Sequence, residues 1–382
     1  MNIVYLDNAA TTAVRPEVVD EMANSLLTNY GNPSSVYGLG RQAKSTVEMA
    51  RKSIAKNLGV SSQEIIFCSG GTEADNWALT EAVKSLKVER IISARTEHHA
   101  VLHTLDHLQK EYAVEVVYVK LKKNGSVDIS HLSELLSDAK KTLVSLMHVN
   151  NETGSVIDLE LVGKICKQYN AYFHSDTVQS MGKVDLNFSQ INIDFFAASA
   201  HKFHGPKGIG FLFIRKGTPM NPMIYGGAQE KGLRAGTESV HNIIGMAKAL
   251  DISFRNMGEE IKHISNLKKY AVEKLRENFS GLEINGEGDS VNVENFQTFH
   301  TILNVRLPIS AEKASMLLFS LDMKGIAVSR GSACQSGSTK SSHVLAEILD
   351  AEELKKPSVR ISFSYQNTTN DVDALISALQ GI

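Results

Sequence analysis

The chain has little of what marks a secreted, membrane or nucleic-acid-binding protein. It has three cysteines in 382 residues, Cys68, Cys166 and Cys334. So few, and an odd number, exclude a disulfide framework and point to a reducing, cytoplasmic setting. Lys and Arg (40) nearly balance Asp and Glu (42), for a formal net charge of −2. That leaves no electrostatic reason to expect nucleic acid or an anionic membrane as a direct partner. No apolar run reaches the roughly 18 residues of a membrane span. The opening "MNIVYLDNAATT" has neither the basic start nor the apolar stretch of a secretory leader.

What is present is an ordinary globular composition, 42% hydrophobic and 21% charged, long enough for two domains. "RPEVVDEMANSLL" puts Pro16 near a helix start, with Val18, Met22 and Leu26 at four-residue spacing. "GRQAKSTVEMARKSIAKNLGV" carries Ala43, Val47, Ala50, Ile54 and Leu58 on one face and stops near Gly59. Short apolar runs follow: "EIIFC", "RIISA", "VEVVYV", "TLVSLMHV", "AYFHSD", "IDFFAASA" and "GIGFLFI". Separated largely by helical segments, they predict an α/β fold with a mostly parallel sheet covered on both faces. From Ile243 to Asn278 runs a long charged helical tract. Beyond it, "HTILNVRLP", a helix from Ala311 to Met323, "GIAVS", "SVRISFS" and a helix ending at Gln380 predict a smaller α/β domain.

Polar islands stand at the strand ends. In "FCSGGTEADN" a strand runs into Gly70-Gly71 and a helix opens at Thr72. Free backbone N–H groups and the positive end of the helix dipole suit a phosphate there; the bland alternative is a tight turn capped by Thr72. The pattern is neither a Walker loop nor G-x-G-x-x-G, so no nucleotide follows. "TEHHAVL" presents His98 and His99, which as neighbours point to different faces. Asp176 in "HSDTVQS" ends a buried-type strand, where a carboxylate needs a cationic or proton-donating partner or else caps a turn. Lys202 in "SAHKFHGPKGIG" sits between apolar runs, a setting that lowers an ammonium's pKa and frees an amine nucleophile; an exposed loop lysine is the plain alternative. "SRGSACQSGSTKSS", residues 329–342, has linker composition, six serines and two glycines, yet holds Cys334 at its centre.

Together these groups are what a pyridoxal phosphate (PLP) enzyme requires. With "YLDNAATT", "GNPSS", "MHVNNETG", "RAGTE", "GSAC" and "VRISFS" in order along the chain, the sequence resembles the NifS/IscS-like cysteine desulfurases of the class V aminotransferase family. The resemblance implies a homodimeric PLP-dependent transferase of fold type I. It divides the chain into a large PLP-binding domain, 15–255, and a small domain, 1–14 with 256–382, carrying the cysteine loop. It implies that Lys202 holds PLP as a Schiff base, Asp176 pairs with the pyridine nitrogen and Gln179 bonds the phenolic oxygen. Asn151 would fix the ring, and His98 would stack on it and move protons. Gly71, Thr72, Ser199 and His201 would hold the phosphate, with Thr237 reaching in from the other subunit. Asn32 and Arg360 would grip the carboxylate of L-cysteine, the planar Arg fork suiting that task. Cys334 would take the sulfur as a persulfide, release L-alanine, and pass the sulfur to an iron–sulfur scaffold or a tRNA-thiolation relay.

Arg330 departs from the serine more usual beside the long cysteine loop, although "GSAC" and the Ser/Gly-rich run fit that group. The short tail after the last helix makes relatives that dock a scaffold through a C-terminal extension a poor guide to this chain's partner. Selenocysteine lyase chemistry would use the same residues. A metal-dependent hydrolase built on His98, His99, His148, His174, Asp176, His201 and His204 lacks H-E-x-x-H-type spacing and leaves Lys202 and Cys334 idle. No metal is therefore expected.

Overall fold

The computed structural model describes residues 3–286, 298–310, 316–330 and 342–381. Cys334, most of the serine-rich stretch and the start of the helix expected from Ala311 lie outside the described residues. A two-residue strand, β1 (Val4–Tyr5), opens the chain. Pro16 is the first residue of α1 (Pro16–Thr28), where its missing N–H costs nothing. α2 (Gly38–Leu58) buries the expected stripe of Ala43, Val47, Ala50, Ile54 and Leu58. It stops at Gly59, whose φ of 68° lets its N–H close onto the carbonyls of Ala55 and Lys56.

Strands and helices then alternate: β2 (Ile65–Cys68), α3 (Gly71–Lys84), β3 (Arg90–Ser93), α4 (His99–Tyr112), β4 (Glu115–Tyr118), α5 (Ile129–Leu136), β5 (Thr142–Ser145), α6 (Leu159–Gln168), β6 (Tyr172–Asp176), β7 (Phe195–Ser199) and β8 (Gly210–Ile214). The described strands form a seven-stranded sheet in the order β2-β8-β7-β6-β5-β3-β4. β3 to β7 run parallel, and β8 is antiparallel to both β7 and β2. Alternate residues feed two cores. Ile65, Phe67, Phe196 and Phe213 pack on one face, and Ile66, Cys68, Phe195 and Leu212 on the other. Burial on both faces is why these strands read as continuous apolar runs. Phe196 stacks between Phe188 and Phe213 at centroid distances of 3.9 and 4.4 Å. Each fully buried phenyl contributes about 1.5–3 kcal/mol.

The charged tract is one helix, α7 (Val240–Asn278), and it joins two cores. Ile243, Met246 and Leu250 pack on the seven-stranded sheet, whereas Ile264, Leu267, Ala271 and Leu275 belong to a separate cluster. That second core covers an antiparallel sheet of β9 (Glu283–Ile284), β10 (Ile302–Arg306) and a last strand, in the order last-β10-β9. The remaining elements are α8 (Leu317–Met323), β11 (Ile326–Ala327), α9 (His343–Ala346), the last strand β12 (Ser358–Ser362) and α10 (Thr369–Gln380). β1 pairs in parallel with β11, and Leu6 enters the second core. The chain's start is therefore stitched to its end before it crosses to the larger sheet.

Candidate active site

The parallel strands deliver their carboxyl ends to one edge, and β2 points the same way because β8 is antiparallel to both its neighbours. Residues just past five strands meet there around a cavity of about 530 Å³. Gly71 and Thr72 follow β2, His98 follows β3 and Asn151 follows β5. Asp176 ends β6 with Gln179 close behind, and Ser199, His201 and Lys202 follow β7. Arg360, from β12 of the second sheet, lines the same cavity.

At the floor of this cavity α3 begins without a side-chain cap. Its N-cap is Gly70, with φ 152°, rather than the Thr72 that the bland reading had capping the turn. The first N–H groups of α3 have no partner within the helix and lie beside Ser199, whose Oγ would be 3.3 Å from a Cβ on Gly70. A Cβ on Gly71 would sit 2.6 Å from Val178 Cγ2, so the close approach needs glycine. Helix dipole, free donors and a hydroxyl are together of the kind that could hold a phosphate.

Lys202 stands in the short 3₁₀ turn after β7 and donates from Nζ to the carbonyls of Ala9 (2.6 Å) and Ala10 (2.8 Å). Gln179 Nε2 also donates to Ala9 O (2.9 Å), and its Oε1 has no partner among the described residues. Thr12 N–H donates to His201 O, and the Thr12 hydroxyl accepts from His204 N–H. These bonds lay residues 9–12 across the mouth of the large sheet.

Three carboxyls are buried together. Burial raises Asp176, opposed by His98, the Val178 N–H on its Oδ1 (2.9 Å) and Lys202. Burial and then Asp176 and Glu97 push Asp75 well above the carboxylate range. Glu97 is driven up by burial and by Asp176, although Met147 N–H donates to it at 2.6 Å. Like charges this close do not all ionise in a dry site. Of the three, Asp176 alone has Lys202 opposing its rise, so it is the one most favoured to carry the charge. Its bond to Val178 N–H also makes it a turn residue.

His98 caps α4, its Nδ1 accepting from Ala100 N–H (3.1 Å), which leaves the proton of the neutral ring on Nε2. Burial lowers its pKa, so the ring is neutral at pH 7. His201 is likewise lowered, to about 4, by burial and by Lys202. His99 turns away from the cavity lining and packs on His103 and His343, at 4.8 and 4.4 Å between ring centroids. His148 and His174 pair separately with Ser180 and Ser145. Among the described residues no three His, Cys, Asp or Glu side chains are arranged to hold a metal ion.

Arg360 is wholly buried, with Nη1 on Asn151 O (2.9 Å) and Nη2 on Asp7 Oδ1 (2.7 Å). Asn32, expected at this cavity, does not reach it, and Thr237, expected to serve the other subunit, lies away from it. Asn32 is exposed, its Oδ1 accepting from Ser34 N–H, and Thr237 is exposed as well. Sequence reasoning passed over Asp75, Lys207 and Asp7, the first two lining the cavity and the third bound to Arg360. Asp75 was within reach, since it stands one helical turn after Gly71 and so on the same face of α3.

This fold and cavity define a PLP-dependent transferase of fold type I. The chain matches the family described as Aminotransferase class-V over residues 4–375 and belongs to it. It is 39% identical to the cysteine desulfurase IscS of Dictyoglomus turgidum, over 99% of this chain and 94% of that protein. A putative cysteine desulfurase, IscS 1 of Bacillus subtilis, is 38% identical over 97% of this chain and 96% of its own length. A solved structure titled NifS-like protein superposes with a TM-score of 0.88 at 35% identity, covering 100% of this chain and 99% of that one. Members of this family depend on PLP, and the cavity fits it. The glycine cradle, the buried Asp176, the unpartnered Gln179 Oε1 and Lys202 are of the kinds needed for its phosphate, pyridine nitrogen, phenolic oxygen and aldehyde.

Proposed function

We propose that this chain is a cysteine desulfurase, converting L-cysteine and the thiol of Cys334 into L-alanine and a persulfide on Cys334. The observation that carries this reading is that Lys202, Asp176 and Arg360 open onto one cavity, an amine, a carboxylate and a carboxylate-binding fork. The relatives' names favour cysteine over selenocysteine as substrate.

PLP, when bound, supplies the electron sink that lets a bond at the substrate amino acid break. Lys202 would carry the cofactor, and its Nζ is the amine that could hold or move a proton there. Asp176 keeps the pyridine nitrogen protonated, and Gln179 and Asn151 hold the ring in register. Gly71, Thr72, Ser199 and His201 receive the phosphate. His98 holds a proton on Nε2, ready for transfer beside the reacting carbon. Arg360 receives the substrate carboxylate at two points, and Asn32, exposed outside the cavity here, would have to swing in to assist it. Cys334, outside the described residues, supplies the thiolate that takes the sulfur.

The separate hydrophobic clusters at the two ends of α7 support the division into residues 15–255 and 1–14 with 256–382. A homodimer is supported by large apolar side chains left in water, Val36 (86% exposed), Tyr225 (81%) and Leu27 (78%). Asn32 and Thr237 lie in the same exposed stretches, so a second copy would cover them and bring Thr237 to its partner's phosphate site. The sulfur acceptor we propose is an iron–sulfur scaffold or a tRNA-thiolation relay, in the cytoplasm. No described helix is long and apolar enough to cross a membrane.

The test is Cys334→Ser. The variant should keep the visible absorbance of the bound cofactor and lose alanine and sulfide production from L-cysteine. Undiminished production would remove Cys334 from the reaction.

A further inference from the structure

Arg360 is the element of this site with the most unusual surroundings. It is a fully buried cation, and its one acidic partner among the described residues comes from the other end of the chain. Asp7 follows β1 and bridges Ser362 of β12, which sets its carboxylate beside the Arg360 guanidinium. Oδ1 of Asp7 accepts from Arg360 Nη2 at 2.7 Å and from the Ser329 hydroxyl at 3.1 Å. Ser329 and Arg360 are themselves joined through the backbone, with Arg360 N–H on Ser329 O (2.6 Å) and Ser329 N–H on Arg360 O (3.3 Å). Ser329 is five residues before Cys334. One carboxylate thus ties the arginine to the strand end from which the Cys334 stretch departs.

The guanidinium has five N–H donors, and Asp7 and Asn151 O use two of them. Nε has no partner among the described residues. The guanidinium therefore keeps donors for a second carboxylate without displacing Asp7. Asp7 is a fixed strut, not a competitor.

We infer that Asp7 is a positioning residue for the substrate carboxylate: it holds the Arg360 fork in its receiving orientation and locks it to the root of the Cys334 stretch. This deepens the proposed function and rests on Arg360 receiving the substrate carboxylate. Losing one charge-assisted hydrogen bond corresponds to about tenfold in affinity.

The experiment compares Asp7→Asn with wild type on two amines. One is L-cysteine, read by steady-state kinetics. The other is cysteamine, which has the same thiol and amine but no carboxylate, read by titrating the visible band of the bound cofactor. Asp7→Asn should raise KM for L-cysteine about tenfold, leave kcat within about twofold and leave the cysteamine titration unchanged. Ser329→Ala, which frees one side of the carboxylate and keeps its charge, should raise the same KM less. If Asp7→Asn does not fold, Asp7→Glu serves, since moving the charge by one methylene should also raise KM for cysteine alone. Arg360→Ala separates the two layers of the argument. If it discriminates against cysteine while the Asp7 variants do not, or Asp7→Asn lowers KM, the Asp7 role is wrong and the Arg360 assignment stands. If Arg360→Ala affects cysteine and cysteamine alike, Arg360 does not receive the carboxylate and both readings fall.

Discussion

His174 Nε2 lies 3.3 Å from Asp75 Oδ1, with the two side chains at 0% and 2% exposure. His174 is two residues before Asp176 on β6, so both side chains project from the same face of the sheet, the histidine deeper. Its Nδ1 shares a proton with Ser145 Oγ at 2.9 Å. Burial lowers the imidazole to about 3 and raises Asp75 well above its usual range. The pair is therefore net neutral, a carboxylic acid against an unprotonated ring nitrogen, whereas the rise of Asp176 is opposed by Lys202.

This makes Asp75→Asn and Asp176→Asn different experiments on neighbouring carboxyls. Asp75→Asn replaces one neutral side chain by another, and should move the pH midpoint of the cofactor's visible band by less than about 0.3 units. An ionised Asp75 would give a shift of about one unit, the size of a lost nearby charge. Under the proposed function Asp176→Asn removes the charge that would keep the pyridine nitrogen protonated, and should lower kcat by about 100-fold or more. A pH titration of absorbance on both variants, with rates, decides the matter.

Arg51 and Glu230 form a second buried pair, this one doubly hydrogen-bonded with both distances 2.7 Å. Glu230 Oε2 also accepts from Phe67 N–H, and the guanidinium lies 4.3 Å over the Phe67 ring. Glu230 and Lys231 have φ values of 44° and 59°, left-handed conformations that cost non-glycine residues about 1–3 kcal/mol each. The ion pair is what holds that strained turn against the edge strand of the sheet. Arg51→Met or Glu230→Gln strands the partner and should cost about 3–5 kcal/mol. The double change Arg51→Met with Glu230→Leu should cost less than the sum. Urea unfolding of the three variants gives the coupling directly.

Much of this was readable without coordinates. The apolar runs at β2, β3, β5, β7 and β8 are buried on both faces, so their composition carried the sheet. The stripe on α2 and the glycine that ends it were equally plain. Site residues at strand ends were legible because a parallel sheet sends all its carboxyl ends to one edge. Asp7 was not, because its meaning depends on β1 pairing with β11 and on Asp7 bridging Ser362, contacts between opposite ends of the chain. Asp75 was missed for a different reason: inside "GGTEADN" it reads as an ordinary acidic residue in the first turns of a helix. Gly70 displaced Thr72 as the cap because a backbone with φ of 152° is open to glycine at little cost.

The cradle at α3 gives a prediction about cofactor affinity. A methyl on Gly71 would press on Val178 Cγ2 at 2.6 Å, and β-branched Val178 has little rotamer freedom with which to yield. Gly210 has to be glycine for a related reason, since its Cβ would meet the Ala198 carbonyl oxygen and, at 2.7 Å, the Cα of Gly70. Gly71→Ala should therefore shift the start of α3 away from Ser199 and weaken PLP binding about tenfold or more, with little change in fold. Titration of apoenzyme with PLP, followed by absorbance, measures it. An unchanged dissociation constant would place the phosphate elsewhere.

The buried histidines predict how stability responds to acid. His148 is fully buried with Nδ1 against Ser180 Oγ at 2.8 Å, and burial lowers its pKa to about 4. In the unfolded chain the same ring titrates near 6.5. Between those values the unfolded state binds more protons than the folded one, so stability is full above about pH 6.5 and falls as pH drops toward 4. Asp75, Glu97 and Asp176, raised by burial, act in the opposite sense over part of this range, so the total slope is a balance of both. A single substitution isolates the histidine. His148→Gln keeps a hydrogen-bonding group near Ser180 but cannot take up a proton. Wild type should lose about 2 kcal/mol more than the variant between pH 7 and pH 5. Urea midpoints at the two pH values check this, and equal losses in the two proteins would mean that His148 is already protonated in the folded state.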